Sequence, residues 1–239
     1  MDERAVETGD PLESAYLGAE QLARTLHARS DSVEDLVTAV CEQAVELLEP
    51  VQGAGVIIAA ARRHLTTVAA IGPGPAELDR MQQETGEGPC LTAARDQVVV
   101  HLRDTGTEDR WPSYAEAARG LGVGSMLCLP LEVDARLLGT LSLYADAPNA
   151  FDEKDPDRAA ARLLAALAAT TLARTRLVDQ LREALTNRDL IGQAKGIVMA
   201  RYGLSADDAF ALIRRYSQDH NVKLAELAGV LATRLDFPS

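Results

Sequence analysis

Aromatic residues are scarce in this 239-residue chain, at 4% with one tryptophan, so its core must be filled by Ala, Leu and Val. An apolar fraction of 47% fits an ordinary soluble interior of that kind. No apolar run approaches the roughly 18–20 residues of a membrane helix, which leaves no membrane span to expect. The start, Met1-Asp2-Glu3-Arg4, lacks the basic residues and apolar stretch of a secretory signal. Cysteines are few, odd in number and far apart at Cys41, Cys90 and Cys128. They build no disulfide framework and fit a reducing, cytoplasmic setting. The histidines His27, His64, His101 and His220 show no metal-ligand spacing with the cysteines, so neither a metal nor a cofactor is expected. A phosphate-cradling Gly-Lys loop, a nucleophile elbow and a paired His-Glu motif are all missing, as is an acidic cluster suited to accept a phosphoryl group. These absences point away from an enzyme.

Positive charge is also in short supply, with a net charge of −12. The deficit is uneven: from Gln180 to Ser239 there are 8 Lys or Arg and 7 Asp or Glu, a balance of +1, leaving −13 on the rest. A bulk field of that size attracts a polyanion only weakly, so nucleic-acid recognition by the tail would rest on a few placed cations and on shape.

The chain falls into three stretches: a polar segment with a helix over 1–30, an α+β body over 31–172, and a helical region over 173–239. The first is expected to be helical from Glu13 to Arg29, with Leu17, Leu22 and Leu26 as its apolar side. Asp31 with Glu34 is expected to cap a second helix carrying Leu36, Val37, Val40, Cys41 and Ala44. Two strands, from Gly55 and from Leu65, flank a basic turn around Arg62-Arg63. Helices follow after Pro73-Gly74-Pro75 and after Gly86-Glu-Gly-Pro-Cys90. The remaining strands are expected over Val98–Leu102, Gly122–Leu131 and Leu137–Tyr144, with a helix at Tyr114–Arg119. This order implies an antiparallel sheet with flanking helices.

A long helix is expected from about Glu153 to Tyr202. Its Leu163, Leu164, Leu167, Leu172, Leu177, Val178, Leu181 and Leu185 exceed what a lone solvent-facing helix carries, so either the back face of the sheet or the same helix of a second copy is expected against it, and it reads as a helix at a homodimer interface. The tail reads as three helices. Gly203 suits the left-handed end of the first. Ser205 with Asp208 caps the second, and Asn221 is placed to cap the third. On the first, Leu190, Ile191, Ala194, Ile197 and Val198 share one arc with Lys195 at its edge and Arg188 two turns earlier. On the second, Ala209, Leu212, Ile213 and Tyr216 face inward, while Arg214, Ser217 and Gln218 cluster outward. Arg215 is expected to be partly ion-paired with Asp208 and Asp219.

The Ala194-Lys195-Gly196 step, Met199, Ala209, Ile213-Arg214-Arg215, Asn221, Lys223-Leu224 and Ala228 together resemble the ANTAR domain, the RNA-binding antitermination module of bacterial regulators. The resemblance covers about 178–237. It implies a three-helix, dimerising domain that grips paired stem-loops in a nascent leader transcript, with Arg188, Lys195, Gly196, Arg214, Arg215, Ser217, Gln218 and Lys223 as the RNA-binding set. Upstream, Gly124-Ser125, Pro130-Leu131, Gly139-Thr140-Leu141, Tyr144 and Phe151 resemble the GAF domain over roughly 31–172. The Gly86–Cys90 segment looks like the variant found ahead of ANTAR domains in actinobacterial regulators. A GAF domain implies a sensor for a small-molecule or redox signal.

Cys90 admits two readings. It is either a small buried hydrophobe or a thiol exposed at a helix start, where thiolates are favoured. The second reading keeps open a redox enzyme of the methionine-sulfoxide reductase kind, which also uses a GAF fold. A DNA-binding regulator is the other alternative, although Ala206-Asp207-Asp208 puts acid where a recognition helix would meet the groove.

Overall fold

The computed structural model describes residues 20, 22–59, 65–152 and 156–234. The expected basic turn at Arg62-Arg63 and most of the expected first helix lie outside the described residues. Two compact units divide the chain, Met1–Arg176 and Leu177–Ser239.

In the first unit, helix α1 covers 22–28 and α2 covers Val33–Leu47. Strands β1 (Gly53–Ala59) and β2 (Leu65–Ile71) follow, then α3 (Pro75–Thr85), α4 (Pro89–Asp96), β3 (Val100–Leu102) and α5 (Pro112–Gly120). Strands β4 (Ser125–Val133) and β5 (Arg136–Ala145) complete one five-stranded sheet of order β2-β1-β5-β4-β3, antiparallel throughout. This is the α+β sandwich expected from the element order.

Alternation along β5 sets the two layers. Leu141 and Leu143 point to one face, Thr140, Ser142 and Tyr144 to the other. The first face packs on α2 and on the start of α6 (Pro156–Tyr202), through Leu36, Val37, Val40 and Phe151 among others. Ala161, Ala165, Ala168 and Ala169 are buried there beside Leu164 and Leu172, so the scarcity of bulky side chains lets α6 lie close to the sheet. The second face carries α3, α4 and α5, with Leu78, Cys90, Ala93, Tyr114 and Ala118 against Ile57, Met126, Cys128 and Tyr144.

Local expectations fail in three instructive places in this unit. Ser32, not Asp31, caps α2: its Oγ accepts the Asp35 N–H at 3.0 Å, because a β-region backbone at Ser32 aims the hydroxyl into the first turn. The third strand begins only at Val100, and Val98 is exposed. The fourth begins at Ser125 because Gly122 turns the chain at φ 79° and Gly124 is taken up pairing with Ala145 and Thr105.

The second unit is the end of α6 with α7 (Ala206–Asp219) and α8 (Leu224–Arg234). Gly203 adopts φ 63° after α6, as its position suggested. Ser205 caps α7 as expected, accepting the Asp208 N–H at 3.2 Å and donating to Asp208 Oδ2 at 2.6 Å. Asn221 does not cap α8. It sits at φ 51° and ends α7, with its N–H bonded to the Gln218 carbonyl and the Val222 N–H to the Ser217 carbonyl. That paired pattern is the Schellman closure, in which Asn tolerates the left-handed backbone that most residues avoid. Ala194, Val198, Ala209, Ile213, Leu227, Ala228 and Leu231 form this unit's core.

Candidate functional site

Two places combine chemistry-bearing side chains, one in each unit. In the second unit, the core described above holds α7 with one polar face outward. Arg214, Arg215 and Gln218 are exposed there and, with Leu204, Asp208, Ala211 and Leu212, line an open groove of about 600 Å³. Lys195 and Gly196 lie on α6, half-buried and exposed respectively, while Arg188 and Lys223 are exposed on either side in sequence. A side chain at Gly196 would meet nothing within 4 Å, so its lack of a Cβ leaves open backbone.

Two placements differ from expectation. Ser217 faces inward: it is 9% exposed and its Oγ donates to the Val222 carbonyl at 2.6 Å, locking the end of α7. Helical spacing alone put it with Gln218, but the turn after α7 claims its hydroxyl. Arg215 makes no ion pair with Asp208 or Asp219, since Asp208 is engaged by Ser205. Among the described residues, Arg188, Lys195, Arg214, Arg215 and Lys223 all stand without a carboxylate within 4.0 Å. Tyr216 stacks on His220 at 3.9 Å between ring centroids, and the His220 ring meets the Tyr216 carbonyl at 3.0 Å.

In the first unit a polar layer is sealed between the sheet and α3–α4. Asp79 and Gln82 project from one side of α3 and are 0% exposed. Asp79 Oδ2 accepts from Thr67 Oγ1 at 3.2 Å, and Oδ1 from the Tyr144 hydroxyl at 3.4 Å. Burial nonetheless pushes its carboxyl up to about 6, with the hydrogen bonds from Thr67, Tyr144 and Cys90 opposing. Gln82 grips the start of α4, donating to Cys90 Sγ at 3.0 Å and accepting the Cys90 N–H at 2.9 Å. Gly88, at φ 145°, permits that grip, because a side chain there would collide with Gln82. Cys90 Sγ also lies 2.9 Å from Ser142 Oγ, 3.6 Å from Cys128 Sγ and 3.9 Å from Asp79 Oδ1.

Cys90 is therefore buried, yet it is no inert hydrophobe. The polar layer went unread in the sequence because Asp79 and Gln82 look like solvent-facing residues of a charged helix. Cys128 and Cys41 are buried too, and burial lifts both thiols, Cys41 to about 12. Among the described residues no three His, Cys, Asp or Glu side chains come together to hold a metal, and no helix is long and apolar enough to cross a membrane.

Known proteins resemble both units. The GAF domain family matches residues 30–173, and the ANTAR domain family matches residues 179–231. No curated protein matches the chain. Among solved structures, the GAF domain of an Acinetobacter phosphoenolpyruvate-protein phosphotransferase is 15% identical, with a TM-score of 0.54 over 70% of this chain and 98% of its own. The free methionine-R-sulfoxide reductase of Neisseria meningitidis, in complex with its substrate, is 16% identical, with a TM-score of 0.53 over 74% and 99%. At such identities both likenesses speak of the fold alone. The arrangement of domains is that of a regulatory rather than a catalytic protein. The chain belongs to the GAF family and carries an ANTAR domain behind it, which makes it a GAF–ANTAR regulator with a sensory domain and an RNA-binding output.

Proposed function

We propose that this protein is a cytoplasmic, homodimeric transcription antiterminator. Its ANTAR region, 173–239, grips paired stem-loops in a nascent leader transcript and so prevents a competing terminator hairpin. Its GAF region, 31–172, takes the signal, a small molecule or a redox change. The RNA face consists of Arg188, Lys195, Gly196, Arg214, Arg215, Gln218 and Lys223; the inward Ser217 supports it from behind. The observation that carries the reading is the set of cations without acid partners among the described residues, two of which, Arg214 and Arg215, line one open groove with Leu204, Ala211 and Leu212 as well as Asp208. Unpaired guanidinium groups beside apolar side chains suit a phosphate and an unstacked base at once. The exposed Asp207 at the start of α7 disfavours a DNA groove there.

The test is titration of a two-hairpin leader RNA, with duplex DNA as competitor, against Lys195→Ala and Arg214→Ala proteins whose thermal unfolding is unchanged. Each substitution is expected to weaken binding by roughly 1–3 kcal/mol. Each also lowers the salt slope by about one counterion. Arg215→Ala belongs in the same range, since no carboxylate neutralises it. Unchanged affinity and slope in all three would remove this face.

A further inference from the structure

We propose that Cys90 and Cys128 form a peroxide-responsive dithiol that closes to an intramolecular disulfide inside the GAF domain, with Cys90 as the attacking sulfur and Asp79 as its proton acceptor. The two sulfurs already touch at 3.6 Å, and both are fully buried and free. A disulfide needs about 2.0 Å between sulfurs, so closure asks for a movement on the order of 1.5 Å. Only Cys90 need move far. It sits at the second residue of the eight-residue α4, whereas Cys128 is fixed in the middle of β4 by pairing on both sides.

The surroundings divide the roles. Asp79 Oδ1 lies 3.9 Å from Cys90 Sγ, and Gln82 Nε2 and Ser142 Oγ approach the same sulfur at 3.0 and 2.9 Å. Asp79 can receive its proton, while the Gln82 amide and the Ser142 hydroxyl can donate to the developing thiolate. Cys128 is held protonated by burial, which leaves the first attack to Cys90. A separate observation points to a small polar visitor. Thr140 Oγ1 is fully buried on the same face of β5 as Ser142 and has no hydrogen-bond partner among the described residues. An orphan hydroxyl of this kind calls for a guest with donors and acceptors. Burial of both sulfurs restricts the oxidant to a small hydroperoxide.

The chemistry balances as follows. Asp79 takes the Cys90 thiol proton, and the sulfur attacks the outer oxygen of the hydroperoxide. The O–O bond breaks, leaving a sulfenic acid on Cys90, and the departing oxygen leaves as alcohol or water with the proton returned by Asp79. Cys128 Sγ then displaces the sulfenic oxygen, which leaves as water with the Cys128 proton. Two thiols lose two electrons and two protons; the hydroperoxide gains both.

The full-length protein would be treated with hydrogen peroxide while folded, then denatured with an alkylating agent and mapped by mass spectrometry. The expected product is a Cys90–Cys128 bridge with Cys41 alkylated. Cys128→Ser protein should instead stop at a sulfenic acid on Cys90, captured by dimedone. Asp79→Asn should slow bridge formation by about tenfold or more. Three alkylated thiols in the treated wild type, or a bridge that includes Cys41, would overturn the proposal. A dimedone adduct forming on Cys128 of Cys90→Ser protein as fast as on Cys90 of Cys128→Ser protein would overturn the assigned order. The wild-type map decides even where a variant fails to fold. Because the readout is on the thiols, it stands or falls separately from RNA binding.

Discussion

At the scale of single residues, Asp79 is the least expected side chain in the molecule. A buried carboxyl pushed up to about 6 binds its proton more tightly folded than unfolded. Its contribution to stability is therefore fully present below the unfolded value near 4 and is lost as pH rises through about 6. Asp79→Asn should gain stability relative to wild type by roughly 2–3 kcal/mol on going from pH 4 to pH 8. His101 works in the opposite sense. Burial, helped by Arg158, Arg103 and Arg110, depresses it to about 4, and among the described residues neither ring nitrogen has a hydrogen-bond partner. Its contribution is lost as pH falls from about 6.5 toward 4, so the two residues partly cancel in wild type. Chemical denaturation of both proteins across that range reads the Asp79 limb alone, and parallel curves would refute it. The sequence hides such residues because Asp79 stands between Leu78 and Arg80 on a helix whose Glu77 and Glu84 do pair with Arg80 in solvent. Periodicity places a residue on a face of its helix. Which face another layer will cover is a tertiary matter.

At the scale of elements, the ends of helices were partly legible. Ser205 with Asp208 and Gly203 read correctly because each signal is local: a hydroxyl three residues before the amide it caps, and a residue without a Cβ. Asn221 was misread because Asn favours both helix starts and left-handed helix ends, and the choice depends on where Val222 is anchored. Ser205→Ala should expose the first amides of α7 at a cost of about 1 kcal/mol, seen as roughly fivefold faster hydrogen exchange at Asp208. At position 221, glycine should be tolerated, whereas valine should destabilise the second unit because its branched side chain opposes a positive φ. Equal melting of the two substituted proteins would count against the left-handed assignment. Strand order around the sheet was not legible at all. Pairing β1 with β5 requires the chain to return after more than seventy residues, and no local signal specifies that return.

At the scale of the whole molecule, α6 carries leucines that the described residues leave exposed. Leu177, Leu181 and Leu185 recur every four residues and are 55%, 56% and 62% exposed, which is the surface expected of a helix that meets a second copy. Replacing Leu177 and Leu181 together with Asp should yield monomers by light scattering at micromolar concentration. A wild type that is itself monomeric there would end the dimer proposal. The same helix has a bearing on how the gene can be divided. Arg176 and Leu177, where the two compact units meet in sequence, are consecutive residues of one α-helix. Each carbonyl in the turn before that point is bonded by an amide in the turn after it. A split placed there would leave four unmet carbonyls on one fragment and four unmet amides on the other. Either fragment expressed from that boundary would therefore begin or end in a fraying turn of α6.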